Sequence, residues 1–268
     1  MLTNILQSIG RTPLLRLNAL GADLPGTVWL KLENRNPGGS IKDRVAFHVI
    51  DKTMEWGDIE AGGTIVEATS GNLGIGIALV AAVRGLHCVL TMPDSMSVER
   101  RNLLHALGAE LVLTPAAEGM KGAIRVAEAL AEERNGLLFG QFSNPLAVEA
   151  HYLTTGPEIL ADSVGHVDVL VAGVGSGSSI TGTGRFLKEN IPGFKVMAGQ
   201  EHRDLCLRYR RTLHVNAPVP PGLAPVGSPQ GLRVIRRRKS PLTEGAFSAA
   251  WAAPVRLHEA GRALREMF

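Results

Sequence analysis

Short apolar runs rich in β-branched residues alternate with longer segments of helical periodicity from Thr27 to about Met197. This alternation is typical of βαβ units, in which helices connect the strands of a mostly parallel sheet. The candidate strands are 27–33, 64–68, 87–92, 109–114, 167–172 and 194–198. The candidate helices are 41–56, 72–84, 97–107, 118–134, 145–162 and 180–190. The sequence therefore predicts an α/β protein.

The size and apolar content of the chain permit a substantial core but predict no membrane span. Its 268 residues, of which 45% are hydrophobic, suit one large or two modest domains. The longest apolar run, Ile75 to Val83, has nine residues, too few to cross a bilayer. The N-terminus lacks the pattern of a secretory signal, so we expect a cytoplasmic protein. Neither Cys88 nor Cys206 lies in a metal-binding spacing, so no metal is expected.

The end of the chain differs from the rest in charge and composition. Residues 1–198 contain 16 Lys and Arg against 20 Asp and Glu, whereas residues 199–268 contain 12 against 5. The two parts therefore carry net charges of −4 and +7. Seven of the 15 prolines also lie in this atypical, basic, Pro/Arg-rich C-terminal segment, which has no sustained strand or helix period.

Three interpretations of residues 199–268 stay open. A basic tail would bind nucleic acid or anionic lipid, but the run Arg236–Lys239 has no interleaved aromatic residues or amphipathic helix around it. We therefore expect no nucleic-acid or membrane partner, and a poorly structured segment is the favoured interpretation. The third interpretation is an altered or out-of-frame terminus, which reading the coding DNA in the other two frames would test.

The first motif with chemical content is NPGGSIKDR, residues 36–44, a glycine-containing turn that leads into a helix. Ser40 is a candidate N-cap, which places Lys42 in the first helical turn. There the positive end of the helix dipole opposes protonation of the amine, and only a neutral amine attacks an aldehyde. A lysine at a helix start is most often a solvated side chain, so this motif is weighed together with the two that follow.

The second motif is EATSGNLG, residues 67–74, in which a strand end turns into an apolar helix. Such a turn presents backbone N–H groups to a carboxylate or phosphate. Thr69, Ser70 and Asn72 add polar contacts without adding charge. The alternative is simple N-capping of the helix by Ser70 or Asn72.

The third motif is GVGSGSSITGTG, residues 173–184, which follows a predicted strand. Its alternating glycines allow close backbone approach, and the next helix offers its N-terminus to a phosphate. In a dinucleotide-binding G-x-G-x-x-G pattern the third glycine would fall at Ser178, and no Gly-Lys-Ser/Thr is present either. The motif therefore indicates a site for a single phosphate group.

These motifs resemble, in order, those of the O-acetylserine sulfhydrylase (cysteine synthase) family. The resemblance runs from about Ile5 to Val196 and is carried by NPGGSIKDR, EATSGNLGIG, MPDSMSVERR, LGAELVLT, QFSNP with HYLTTGPEI, and AGVGSGSSITGTGRFLKE. It implies a tryptophan-synthase-β-like fold with two three-layer α/β subdomains, a pyridoxal 5'-phosphate cofactor and a homodimer. The implied catalytic region, 1–198, divides into a mobile N-terminal subdomain (about 35–145) and a cofactor-phosphate subdomain (about 1–34 plus 146–198).

The resemblance also implies a role for individual residues. Lys42 would hold the cofactor covalently and move the α-proton of the substrate, and Asn72 would hydrogen-bond the ring hydroxyl of the cofactor. The implied phosphate-binding residues are Gly175, Ser176, Gly177, Ser178 and Ser179. The implied substrate-binding residues are Thr69, Ser70, Gly71 and Gln141, with Leu73 in the same loop.

The implied reaction is β-replacement, in which sulfide, thiosulfate or a related thiol donor displaces the acetate of O-acetyl-L-serine to give L-cysteine. One alternative is another enzyme of the same fold, similar to cystathionine β-synthase or to serine/threonine dehydratase. MPDSMSVERR and Gln141 favour the sulfhydrylase. The other alternative is a degenerate, non-catalytic homologue, which Leu73 and the unusual terminus motivate.

The sequence departs from the family pattern at three places. Leu73 stands where the family usually has Thr, and loss of that hydrogen bond to a carboxylate would cost about 1.5–3 kcal/mol. Ser178 and Ser179 replace a usual Gly and Thr, and Ser178 would be strained if its φ were positive. After Met197 we find no counterpart of the later strands and helices, nor of the Ser that meets the pyridine nitrogen. We therefore expect an atypical or truncated C-terminal part.

Overall fold

The structure of the protein is a computed structural model that describes residues 1–19 and 26–199. The strands are β1 (Leu14–Arg16), β2 (Trp29–Lys31), β3 (Thr64–Ala68), β4 (His87–Pro93), β5 (Glu110–Thr114), β6 (Leu137–Leu138), β7 (Val169–Gly173) and β8 (Lys195–Gly199). The α-helices are α1 (Lys42–Glu55), α2 (Asn72–Arg84), α3 (Val98–Ala106), α4 (Gly119–Glu133), α5 (Leu146–Ala150), α6 (Gly156–Asp162) and α7 (Ser178–Asn190). A π-helical turn, His151–Thr155, joins α5 to α6.

The chain divides into two compact units. The first consists of Met1–Thr12 and Glu33–Ala150. The second contains the described residues of Pro13–Leu32 and of the chain from His151 onward. The mobility and the phosphate-binding role expected for the subdomains at about 35–145 and at about 1–34 plus 146–198 remain predictions. Residues 200–268, which make up nearly all of the predicted atypical segment, lie outside the described residues.

The first unit is built on a parallel sheet with the strand order β5-β4-β3-β6. Successive residues of a strand point to opposite faces, and the two faces are covered by different helices. On one face Ile65 packs in a cluster with Val45 of α1 and Ile77 of α2. On the other face Val66 packs with Ala123 of α4. These three layers confirm the predicted α/β architecture for this unit.

The second unit contains a parallel pair, β7 and β8, covered by α7. Ile180 and Leu187 of α7 form a buried cluster with Phe194 and Val196. A Cβ on Gly184 would lie only 2.9 Å from Val196 Cγ2, so a glycine allows this helix to lie against β8.

One predicted strand has a different partner from the one expected. Segment 27–33 contains β2, but β2 pairs antiparallel with the short strand β1, outside the parallel sheets. Its interpretation as part of a βαβ unit is therefore wrong, because an apolar run does not specify its pairing partner. Among residues 1–19 and 26–199 there is no helix both long and apolar enough to cross a membrane.

Candidate functional site

Lys42 is the first residue of α1, which confirms its predicted place at a helix start. The Ser40 hydroxyl, itself largely buried, accepts a hydrogen bond from the Lys42 N–H at 3.1 Å. The N-cap of α1 is Ile41, so the predicted capping position of Ser40 is wrong by one residue. The Ser40 hydroxyl still satisfies one of the N–H groups that the start of a helix leaves without a backbone partner.

Asp43 holds the glycine turn that precedes the lysine. Its Oδ2 accepts a hydrogen bond from the Gly38 N–H at 2.6 Å, and a Cβ on Gly38 would lie 2.5 Å from Oδ1. Oδ1 has no hydrogen-bond partner among the described residues. Burial, partly opposed by the Gly38 hydrogen bond, raises the pKa of Asp43 to about 6. The turn and the helix start are thus fixed by a fully buried carboxyl group beside Lys42.

A buried polar network anchors the same turn to the N-terminal segment. The Arg44 guanidinium donates to both carboxylate oxygens of Glu33, at 2.7 and 2.8 Å. Thr12 Oγ1 and Asn36 Nδ2 donate to the same carboxylate at 2.6 and 2.9 Å. Asn36 Oδ1 in turn accepts from the Gly10 N–H at 2.8 Å. This network gives no local sequence pattern, because Gly10, Glu33 and Arg44 lie far apart in the chain.

The loop between β3 and α2 presents the second predicted set of residues. The Thr69 N–H donates to the Thr91 carbonyl at 3.1 Å, and Thr69 Oγ1 accepts from the Gly71 N–H at 3.2 Å. The Arg100 guanidinium donates to the Ser70 carbonyl. The N-cap of α2 is Gly71, without a side-chain cap hydrogen bond. The alternative of N-capping by Ser70 or Asn72 is therefore wrong, and these hydroxyl and amide groups are available for another role.

Asn72 and Leu73 point in different directions from the start of α2. Asn72 is exposed, whereas the Leu73 side chain is 2% exposed and belongs to the core of the first unit. A Cβ at Gly74 would lie 3.1 Å from Thr69 Cγ2, so the loop packs closely on the helix start. Any contribution of Leu73 to substrate binding therefore comes from its backbone, and that role remains a prediction.

Gln141 follows β6, the neighbour of β3, so its turn and the Thr69–Asn72 loop lie at the same edge of the parallel sheet. The Gln141 N–H donates to Glu67 Oε2 at 3.2 Å. Burial raises the pKa of Glu67 to about 7, although hydrogen bonds from the backbone of Gln141, Gly140 and Ala68 oppose the increase. The structure thus brings together the two predicted substrate-binding segments through a residue that the sequence analysis did not single out.

The glycine- and serine-rich turn of the second unit connects β7 to α7. Gly177 is the N-cap of α7 with φ +80°, and nothing lies within 4 Å of a Cβ placed on Gly175 or on Gly177. Ser176 Oγ lies 3.0 Å from Ser178 Oγ, and Ser178 and Ser179 are the first residues of the helix. The strain considered for Ser178 does not arise, because the left-handed conformation falls on Gly177.

No group of three potential metal ligands occurs among the described His, Cys, Asp and Glu side chains. Cys88 is buried in the sheet core, and burial raises the pKa of its thiol to about 12. A thiol of this kind is a core residue rather than a nucleophile or a ligand.

The first unit has a lysine at a helix start and a hydroxyl-rich loop at a parallel sheet edge, and the second unit has a glycine–serine turn at a helix N-terminus that suits a phosphate group. The sequence profile of pyridoxal-phosphate dependent enzymes matches residues 5–236. The chain belongs to this family, and the predicted fold class is confirmed. The residues present fit the chemistry of the cofactor, since the Lys42 amine suits its aldehyde, and the serine hydroxyls and N–H groups at the start of α7 suit its phosphate.

Known relatives support the same assignment. The chain is 50% identical to a cysteine synthase of Staphylococcus aureus over 196 residues, which cover 73% of this chain and 63% of that protein. The chain thus spans less than two thirds of the length of this relative. The structure of O-ureido-L-serine synthase superposes with a TM-score of 0.71 at 39% identity, covering 81% of this chain and 70% of that one. The O-acetylserine dependent cystathionine β-synthase of Helicobacter pylori gives a TM-score of 0.68 at 38% identity, covering 74% and 66%.

Proposed function

We propose that the protein makes L-cysteine by β-replacement, from O-acetyl-L-serine and sulfide or a related donor such as thiosulfate. The observation that carries the proposal is the arrangement of the first unit, where the Thr69–Asn72 loop and Gln141 lie at one edge of the sheet and α2 packs on the Lys42 end of α1. The 50% identity to a cysteine synthase supports this choice of reaction.

Individual residues of the chain would take separate roles in binding the cofactor. Lys42 would hold the cofactor through its ε-amino group, and Asn72 would donate to the ring hydroxyl. The turn 175–179 would bind the phosphate through backbone N–H groups and serine hydroxyls. When bound, the cofactor provides an electron sink for the negative charge left at the substrate α-carbon.

The remaining steps belong to the side chains and backbone of this chain. The substrate carboxylate would accept hydrogen bonds from the loop 69–72 and from the Gln141 amide group. The ε-amino group of Lys42 would remove the α-proton, which requires the neutral amine. Acetate would then leave from the β-carbon, and sulfide would form the new carbon–sulfur bond at the same atom. The protonated ε-amino group of Lys42 would return a proton to the α-carbon.

Two other functions are compatible with the fold. The Helicobacter relative is named a cystathionine β-synthase, so a different thiol acceptor at the same site is one alternative, and a serine/threonine dehydratase-like reaction is another. A non-catalytic homologue is the remaining alternative, but the Leu73 side chain that motivated it packs in the core and does not point toward a substrate. We further propose a homodimer on the family resemblance, with small-molecule substrates as its partners.

An absorption spectrum of the purified protein with added pyridoxal phosphate tests the cofactor assignment. We expect a visible band that changes when O-acetyl-L-serine is added and recovers with sulfide, with cysteine as the product. Lys42→Ala should lose both the band and the activity, whereas Lys52→Ala, a partly exposed lysine on the same helix, should keep them. Thiol-dependent formation of another product would instead favour the cystathionine β-synthase-like alternative, and no turnover in a protein that shows the band would favour the non-catalytic one.

A further inference from the structure

Glu67 is a charged residue in the middle of an apolar sheet. It lies in β3, between β4 and β6, and is 5% exposed. Its sheet neighbour in β4 is Leu90, and by the alternation of the strand it lies on the same face as Ile65. A carboxylate in such a place is costly unless hydrogen bonds satisfy it. Its presence two residues before Thr69 therefore requires an explanation.

The partners of the Glu67 carboxylate are backbone N–H groups. The Gln141 N–H donates to Oε2 at 3.2 Å, and the backbone N–H groups of Gly140 and Ala68 act with it as donors that lower the pKa of the carboxyl group. The shift of its pKa arises from burial and these three donors, without a contribution from a charged side chain among the described residues. The buried charged residues of α1, Asp43 and Arg44, bond to Gly38 and Glu33 instead.

Among residues 1–19 and 26–199, the other hydrogen bonds of the turn that contains Gln141 come from within the turn or from its flanks. The N–H groups of Ser143 and Asn144 donate to the Gly140 carbonyl, each at 3.0 Å, and Asn144 Nδ2 donates to the Phe139 carbonyl at 2.9 Å. Phe139 continues the pairing of β6 through a bond to Val66. The hydrogen bond from the Gln141 N–H to Glu67 thus links Gln141 directly to β3, the strand that leads into the Thr69–Asn72 loop.

We propose that Glu67 is a positioning residue that fixes Gln141 relative to the Thr69–Asn72 loop and thereby sets the affinity for the substrate carboxylate. This inference rests on the proposed function, in which both segments bind that carboxylate. Glu67 acts through Gln141 and does not touch the reacting atoms.

The chemistry of the site favours a carboxylate over its amide. An ionised carboxylate only accepts hydrogen bonds, which matches the N–H donor of Gln141. A glutamine offers one acceptor oxygen, and its NH₂ group would face an N–H donor. Protonation of Glu67 has a similar effect, because it converts part of the acceptor into a donor. Since the pKa of Glu67 is raised to about 7, the hydrogen bond to Gln141 weakens as the pH falls through that value.

Nuclear magnetic resonance of the full chain tests the link without any activity. The carboxyl ¹³C shift of Glu67 and the amide shifts of Gln141 and Gly140 would be followed between about pH 5 and 9. We expect all three to titrate with one midpoint in the wild type, and the amide shifts to become independent of pH in Glu67→Gln. Amide shifts of Gln141 that do not follow the Glu67 carboxyl group in the wild type would overturn the proposal, whether or not the variant folds.

Steady-state kinetics tests the consequence for substrate binding. At about pH 8 we expect Glu67→Gln to raise the KM for O-acetyl-L-serine about tenfold and to change kcat less than about threefold. Glu110→Gln is the matched control, since Glu110 is a half-exposed carboxylate of the same sheet, paired with Arg134. An unchanged KM in an active Glu67→Gln enzyme would reject the proposal while the proposed function stands. An inactive wild type would reject that function and leave the resonance experiment to decide the positioning.

Discussion

The carbonyl oxygen of Lys42 lies 3.2 Å from the position that a Cβ on Gly76 would occupy. The same Cβ would lie 3.1 Å from Ala46 Cβ, so a glycine in α2 lets this helix approach the first turn of α1. Helix α1, which carries Lys42, and helix α2, which follows the Thr69–Gly71 loop, are therefore packed in direct contact. The relative position of the two helices depends on residue 76 having no Cβ.

Gly76→Ala should move the start of α1 by a few tenths of an ångström and lower both stability and activity. Overpacking in a tight core typically costs about 1–3 kcal/mol, and the better helix propensity of Ala offsets about 1 kcal/mol of it. Urea denaturation and kcat measure the two effects. Gly26→Ala is the control, since a Cβ there meets nothing within 4 Å. Equal stability of the two variants would show that the contact between the helices tolerates a methyl group.

The parts of this fold that the sequence predicts are those that carry a local signal. Strand β3 and helix α2 begin and end at the predicted residues, because a β-branched run follows Gly63 and the helix stops at Gly85 with φ +68°. The three-residue β1 and two-residue β6 are too short to show a period. The hydrogen bonds that Glu67 accepts from Gln141 and that Arg44 donates to Glu33 depend on tertiary structure, so a single sequence gives no sign of them. A glutamate inside the apolar strand TIVEA is the one signal that could have drawn attention to position 67.

Two buried carboxyl groups should make the protein less stable as the pH rises from about 4 to about 7. The pKa of Asp43 is raised from 3.8 to about 6 and that of Glu67 from 4.5 to about 7. In this range each of these two groups binds more protons in the folded protein than in the unfolded chain, so its contribution to the free energy of unfolding falls with increasing pH and levels off above about 7. Each group contributes at most about 3 kcal/mol, since one pKa unit corresponds to about 1.4 kcal/mol.

Urea denaturation at several pH values measures this decrease. In Glu67→Gln and in Asp43→Asn the difference between the free energies of unfolding at about pH 4.5 and pH 8 should shrink, because one titrating group is missing from each variant. Glu118→Gln, an exposed carboxylate, should leave the profile unchanged. A difference in Glu67→Gln and in Asp43→Asn that equals that of the wild type would contradict the assigned direction of both shifts.

Leu73→Thr should destabilise the protein without improving substrate binding. The Leu73 side chain is almost fully buried, so the shorter and more polar Thr leaves a cavity and places a hydroxyl in apolar surroundings, at a cost of about 2–5 kcal/mol. Because residue 73 points into the core, we expect the KM for O-acetyl-L-serine to change less than about twofold. Ile77→Val, in the same core cluster, provides a control for cavity effects alone. A tenfold lower KM in Leu73→Thr would instead show that a hydroxyl at this position reaches the substrate carboxylate.

Gly177→Ala should lower the affinity for pyridoxal phosphate more than its effect on folding explains. Gly177 has φ +80°, a conformation that costs an L-residue about 1–2 kcal/mol, and its Cβ would meet nothing within 4 Å. Gly193 has φ +79° and equally open surroundings, but it lies at the other end of α7, so Gly193→Ala carries the same backbone cost away from the turn 175–179.

Both variants should lose similar stability in urea without the cofactor. Titration with pyridoxal phosphate, followed by its visible band, should show weaker binding only for Gly177→Ala, because relief of the strain there rotates the N–H groups at the start of α7. Equal affinity in the two variants would mean that the phosphate is bound elsewhere.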